Sequence, residues 1–173
     1  MAALRLLPVL LALFMLADAD ADAAKKKLSV KSNGTYTGLT SQGSVCRVGE
    51  RRGAPCSVTV VTSDKGSFVK RVDVLYHSNC QNGQGATGTV AFRWLAISKA
   101  RFRINSTSDA ADSTDPATKI RRTIALGGRF ERSSKGTYSV SGTTTVVSDR
   151  TYGDGTTTQC TTGPVTWTAR LAP

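Results

Sequence analysis

Val165-Thr166-Trp167-Thr168-Ala169-Arg170-Leu171 makes every second side chain apolar and places polar or charged ones between. Successive side chains of a strand point to opposite faces, so this run is an antiparallel strand with one face buried and the other wet. Upstream, Tyr138, Val140, Thr144 and Val146 share one face of a longer strand, with serine and threonine opposite. Tyr152-Gly153-Asp154-Gly155 between the two is a turn signal, because glycine takes positive φ at little steric cost. Val72, Val74 and Tyr76 repeat the alternation within Ser67–Tyr76. That run joins Ser57–Thr62 across Asp64-Lys65-Gly66 as a hairpin.

Further strands are expected at Thr89–Ile97, partly buried on both faces, and at Lys99–Ile104, Arg121–Leu126 and Arg129–Ser133. Asn79–Gly88 and Asn105–Thr118 are polar and read as loops, and Gly127-Gly128 reads as a break. No stretch carries helical spacing, and valine and threonine, which pack well on pleated sheets, are abundant. The expected fold is all-β: an antiparallel β-sandwich or flattened β-barrel of about 8–10 strands, braced by disulfides.

The N-terminus has the order of an export signal. Arg5 is followed by the apolar run Leu6–Ala17 and then by alternating alanine and aspartate, which offers small-x-small cleavage sites. The apolar run is too short to cross roughly 30 Å of hydrocarbon, which takes about 20 helical residues. The expected organisation is a signal peptide at 1–24, a basic lead-in at 25–33 and a single β domain at 34–173, with no transmembrane segment once the signal is removed. The expected location is extracellular or associated with the cell envelope. The chain carries a net charge of +11, and losing residues 1–24 raises it, since that segment holds one arginine and three aspartates.

Cysteines outside the cytosol are oxidised as a rule, and four of them allow three pairings that sequence alone does not decide. Cys46 with Cys56 and Cys80 with Cys160 is the preferred set. The first pair brackets a Gly- and Arg-rich loop, Gly49–Pro55, where two strand ends can approach. The second ties a mid-chain loop to the start of the last strand. A metal site is disfavoured, because the spacing lacks a C-x-x-C pair and nearby histidines.

Two segments carry a resemblance. Gly34-Thr35-Tyr36-Thr37-Gly38-Leu39-Thr40-Ser41-Gln42-Gly43 opens the domain, and Cys160-Thr161-Thr162-Gly163-Pro164-Val165-Thr166-Trp167-Thr168-Ala169 closes it. Together they resemble a group of small secreted bacterial β-proteins with no assigned function. The resemblance covers the two ends of the domain and implies the fold and the compartment. It also implies a mid-chain partner for the later cysteine, which favours Cys80–Cys160. It carries no catalytic residue across.

Candidate chemistry is sparse. His77 is the one histidine, and Asp73 lies four residues away, roughly 13 Å along a strand. No G-x-S-x-G elbow accompanies it, so a secreted hydrolase built on His77 is a minor reading. Glu50 and Glu131 each sit beside arginine, as surface ion pairs do, and do not suggest paired-carboxylate hydrolysis. Asp109, Asp112 and Asp115 lack the alternate ligand positions and glycine of a calcium loop. No catalytic residue, cofactor or metal is expected. Asn33 and Asn105 begin N-x-S/T sequons.

Basic residues carry the clearest signal. Lys99, Arg101 and Arg103 alternate with Ala100, Phe102 and Ile104, and Lys119, Arg121 and Arg122 form a second group. Further groups are Lys25–Lys27 and Arg47, Arg51 and Arg52. Such a surface draws polyanions in a salt-dependent way, although outward charges also keep sheets soluble. Phe92 and Trp94 are assigned to core packing, with stacking on a base or sugar as the alternative; Trp167 belongs to the core. The resulting expectation is a non-enzymatic domain that docks on an anionic polymer or surface through Lys99, Arg101, Arg103, Lys119, Arg121 and Arg122. The alternative is a structural or inhibitory module that meets a protein partner through Gly49–Pro55.

Overall fold

The computed structural model describes residues 30–46, 55–112 and 115–173. The expected signal peptide, the start of the expected basic lead-in, and Arg47, Arg51 and Arg52 with most of the Gly49–Pro55 loop lie outside the described residues.

Among the described residues, nine antiparallel strands form one continuous sheet: β1 (Thr35–Thr40), β2 (Ser57–Thr62), β3 (Phe68–Cys80), β4 (Gly85–Ala96), β5 (Arg101–Ala111), β6 (Lys119–Arg132), β7 (Tyr138–Thr151), β8 (Thr157–Thr161) and β9 (Val165–Leu171). Their order is β4-β3-β2-β1-β9-β7-β6-β5, with β8 paired to both β3 and β7. The strands β1, β2, β3, β8, β7 and β9 thereby close a six-stranded barrel, and β4, β5 and β6 extend beyond it. Of the two architectures expected, the barrel is the one adopted.

The closure depends on how the two longest ring strands use their edges. On β3, residues 69–74 pair with β2 and residues 79–80 pair with β8, while β4 covers the other edge. On β7, residues 139–144 pair with β9 and residues 147–151 with β8, while β6 covers the other edge. Each strand therefore has a short gap between two successive neighbours, and buried backbone groups there require partners. Side chains supply them. Gln42 Nε2 donates to His77 O at 2.6 Å, and His77 N–H donates to Gln42 Oε1 at 2.9 Å, so one amide mimics a strand on β3. Thr162 does the same on β7: its N–H donates to Val146 O at 3.0 Å, and Val146 N–H donates to its Oγ1 at 2.9 Å. Ser41 joins the ends of β1 and β9 through bonds to the backbone of Thr166. The two end segments, Gly34–Gly43 and Cys160–Ala169, thus meet at this seam.

The core lies inside the curled sheet. Val58 and Val60 of β2, Val69, Val72 and Val74 of β3, Val140 and Val146 of β7, and Trp167 and Ala169 of β9 are buried together around Tyr36 and Phe130. Alternation along each strand puts these residues on one face, and their burial is the main favourable term for a sheet of this kind. Gly38 permits the approach of β1 to β9, since a Cβ there would lie 1.9 Å from Thr168 O.

Both preferred disulfides form: Cys46–Cys56 and Cys80–Cys160. Their setting differs from expectation. Cys80 ends β3 and does not sit in a loop, and Cys160 belongs to the separate short strand β8, where the two cysteines are direct rung partners. Other boundaries also shift. Gly85–Gly88 belongs to β4, and β5 runs on through Asn105–Ala111. Gly127-Gly128 interrupts nothing: β6 is one strand of 14 residues.

Candidate anion-binding site

The turn between β4 and β5 builds one corner of the molecule. Ser98 and Arg101 exchange two backbone hydrogen bonds of 2.9 Å, leaving Lys99 and Ala100 as the two central residues, at φ of 49° and 60°. Two successive positive φ values define the tight hairpin turn that matches strand twist, and asparagine and glycine are its usual occupants. Lys99 therefore stands in the turn and not on the strand where its spacing had placed it. Arg101 and Arg103 point outward from β5, since Phe102 between them is buried.

Antiparallel register decides what these arginines face. Arg101 pairs directly with Arg129 of β6, and Arg103 pairs with Gly127. Like charges directly opposite on a sheet destabilise it, so the Arg101–Arg129 rung costs stability in the free protein. Glu131 lies 3.6 Å from Arg129, with both side chains more than half exposed. An ion pair so wet is worth little. The three arginines rim a depression of about 570 Å³ whose floor includes Gly127, Gly128 and Gly142 and whose far wall carries Ser141 and Thr143.

The glycines explain why the depression exists. Gly128 and Gly142 face inward beneath aromatic rings: a Cβ at Gly142 would lie 2.3 Å from Trp167 Cζ2, and one at Gly128 would lie 2.6 Å from Phe102 Cζ. Phe102 and Trp167 stack at 6.4 Å, and Trp167 Nε1 donates to Thr144 Oγ1 at 3.0 Å. Gly127 faces outward and offers no side chain between Arg103 and Thr143, its rung partners on either side. A rigid aromatic core therefore supports a shallow bowl with a backbone floor.

The second basic group does not join the first. Lys119 pairs with Ala111 and Thr151, at the opposite end of the β5–β6 hairpin. That end is about 33 Å of strand from Arg101. Arg121 is the rung partner of Asp109 and of Asp149 on the neighbouring strands, so this end of the hairpin carries mixed charge. Arg122 turns to the other face and is half-buried. The six basic residues expected to act together thus divide into a basic corner at Lys99, Arg101 and Arg103, a mixed-charge end at Lys119 and Arg121, and an inward residue. Arg129 completes the corner.

The other candidates are placed as follows. The His77 ring lies against Gly85, with Nδ1 3.5 Å from Thr87 Oγ1, and its backbone belongs to the barrel seam. Asp73 is paired with Arg71. Asp112 lies 3.8 Å from Arg150, and Asp115 accepts bonds from Ala117 N–H and Thr118 Oγ1. The described residues hold no group of three or more metal-ligating side chains. Phe92 is partly buried against the core, whereas Trp94 is 64% exposed, which corrects its assignment to core packing. Among the described residues no helix is long and apolar enough to cross a membrane.

No family model matches the chain, and neither the curated proteins nor the solved structures contain a match to it.

Proposed function

We propose that this chain is a secreted, non-enzymatic β domain that docks on an anionic polymer of the extracellular space or cell envelope through its basic corner. The observation that carries this reading is the convergence of Arg101, Arg103 and Arg129 on one depression, where Glu131 is paired with Arg129 alone. Guanidinium groups present fixed forks of donors that match carboxylate, sulfate and phosphate oxygens. An anion bound there relieves the repulsion of the Arg101–Arg129 rung, so the site is built at a cost that a ligand offsets. Secretion is supported by the signal-like order of residues 1–24 and by two disulfides, which persist in oxidising compartments.

Long-chain polyphosphate is a suitable probe, measured by calorimetry over a series of salt concentrations. Replacing Arg101, Arg103 and Arg129 with serine together is expected to weaken binding and to lower the slope of log K against log salt by about 2 to 3, one for each lost contact. Replacing Lys119 and Arg121 with serine should leave both nearly unchanged. Equal loss from the two sets, or none from either, would reject the corner as the docking site.

A further inference from the structure

The basic corner has an aromatic border. Between the β3–β4 rungs Val69–Leu95 and Arg71–Arg93 lie Lys70 and Trp94. The register of β3 against β2 shifts at the same point, so that Lys70 is an extra residue there. Leu95 enters the core while Trp94 stays outside it, held at φ 59°. A bulky side chain at positive φ is an outlier, and an exposed indole forgoes the burial that large aromatics ordinarily gain. Core packing accounts for neither feature.

Nearby, Phe68 is 42% exposed and pairs with Ala96, and Ala96 forms part of the wall of the arginine depression. Aromatic surface and arginine bowl therefore share a border. Trp94, Lys99 and Ala100 are three of the four non-glycine residues at positive φ among the described residues. Lys99 and Ala100 owe theirs to the hairpin turn, but Trp94 stands within a strand, and strained backbone that packing does not require is a pointer to a ligand site.

The surface on the other side of the bowl has a different character. Ser141 pairs with Thr168 and Thr143 with Thr166, so the outer face continues from the arginines into a field of short hydroxyls. A single-stranded nucleic acid carries a charge on every residue and is met by cations along its whole track. A polymer that is densely hydroxylated and charged at intervals fits three arginines followed by serine and threonine.

We propose that the corner binds an acidic polysaccharide. A carboxylate or sulfate occupies the bowl between Arg101, Arg103 and Arg129. The C–H face of a neighbouring sugar ring lies on Trp94, and Ser141 and Thr143 exchange hydrogen bonds with sugar hydroxyls. The inference rests on the polymer-docking reading above and narrows its ligand.

Fluorescence separates the two ideas, because the chain has two tryptophans and Trp167 is 2% exposed in the core. A fall in iodide quenching on binding reports Trp94, since iodide does not reach the buried Trp167. The probes are heparin and polygalacturonate, with neutral dextran, polyphosphate and oligo(dT) for comparison. The expected result is that heparin or polygalacturonate shields Trp94 and binds more tightly than polyphosphate or oligo(dT), while dextran does not bind. Trp94→Ala should weaken the polysaccharide complex about tenfold and leave polyphosphate binding unchanged; Trp94→Phe should restore most of the loss. Since Trp94 is exposed, neither substitution opens the core.

Tight polyphosphate binding with no response from Trp94 to either polysaccharide would overturn this inference and leave the docking function standing. Stronger binding of oligo(dT), lost in Trp94→Ala, would replace the polysaccharide with nucleic acid. Failure of every polyanion to bind would remove the docking function itself.

Discussion

Tyr36 shows how one buried polar group ties stability to pH. Its ring is fully buried against Phe130, 5.4 Å away, and its hydroxyl accepts a hydrogen bond from Lys31 N–H at 3.1 Å. Burial pushes its pKa above the ordinary 10.0; the Lys31 bond pulls it part of the way back, and Tyr138 nearby raises it. With the folded value raised, the native state keeps its proton where the unfolded chain has released it. The contribution is therefore full below about pH 10 and lost as pH climbs through the folded value. Tyr36→Phe should lower stability by about 1 kcal/mol at neutral pH through loss of the hydrogen bond. That gap should narrow above about pH 10, where the wild type alone titrates this group. Urea unfolding of both proteins from neutral to strongly alkaline pH measures it; a constant gap would contradict the raised pKa.

At the scale of the element, the β4–β5 turn is the most informative segment. Lys99 and Ala100 occupy left-handed positions where asparagine and glycine are favoured, and each non-glycine residue there costs roughly 1 kcal/mol. Lys99→Asn with Ala100→Gly should therefore raise the melting temperature, by about 1–2 kcal/mol in stability. If polymer docking uses the charge of Lys99, the same variant should bind polyphosphate a little less tightly. A drop in melting temperature would show that the native turn is unstrained.

How legible the elements were depends on burial. Val165–Leu171 was readable residue for residue, because one face is buried and the alternation is complete. Asn105–Ala111 was not, because in that stretch β5 has no fully buried residue and its composition matches that of a loop. Gly127-Gly128 resembled a break, yet β6 needs Gly128 so that Phe102 and Trp167 can pack against it. The seam residues Ser41, Gln42 and Thr162 were hidden for a similar reason: polar side chains that replace strand partners look like turn residues. Lys99, Arg101 and Arg103 were visible in sequence as one group, but that Arg129 joins them was not. Arg101 meets Arg129 and parts from Lys119 through hairpin register alone, and register is set by pairing that composition does not encode.

For the molecule as a whole, the Cys80–Cys160 bridge matters most. It spans 80 residues and joins the rung on which β3 and β8 complete the barrel. The loop-entropy estimate gives about 4–5 kcal/mol for a loop of that length, against about 3 for the 10-residue Cys46–Cys56 loop. Stabilities of domains this size are roughly 5–15 kcal/mol. Replacing Cys80 and Cys160 together with serine should remove a large share of the stability, and replacing Cys46 and Cys56 should remove less. Guanidinium unfolding of the two double variants gives the ranking; the opposite order would mean that closure is held by the hydrogen bonds of Gln42 and Thr162 more than by the bridge.

A ring has no margin from which to fray, but the sheet that contains this one still has two, at β4 and β5, and both start from the same tight turn. Deuterium should therefore enter first along those outer borders and last at the rungs joining β1 to β2 and β9. The proposed ligand would sit where the fabric begins to loosen, so that whatever occupies the bowl also acts as a hem.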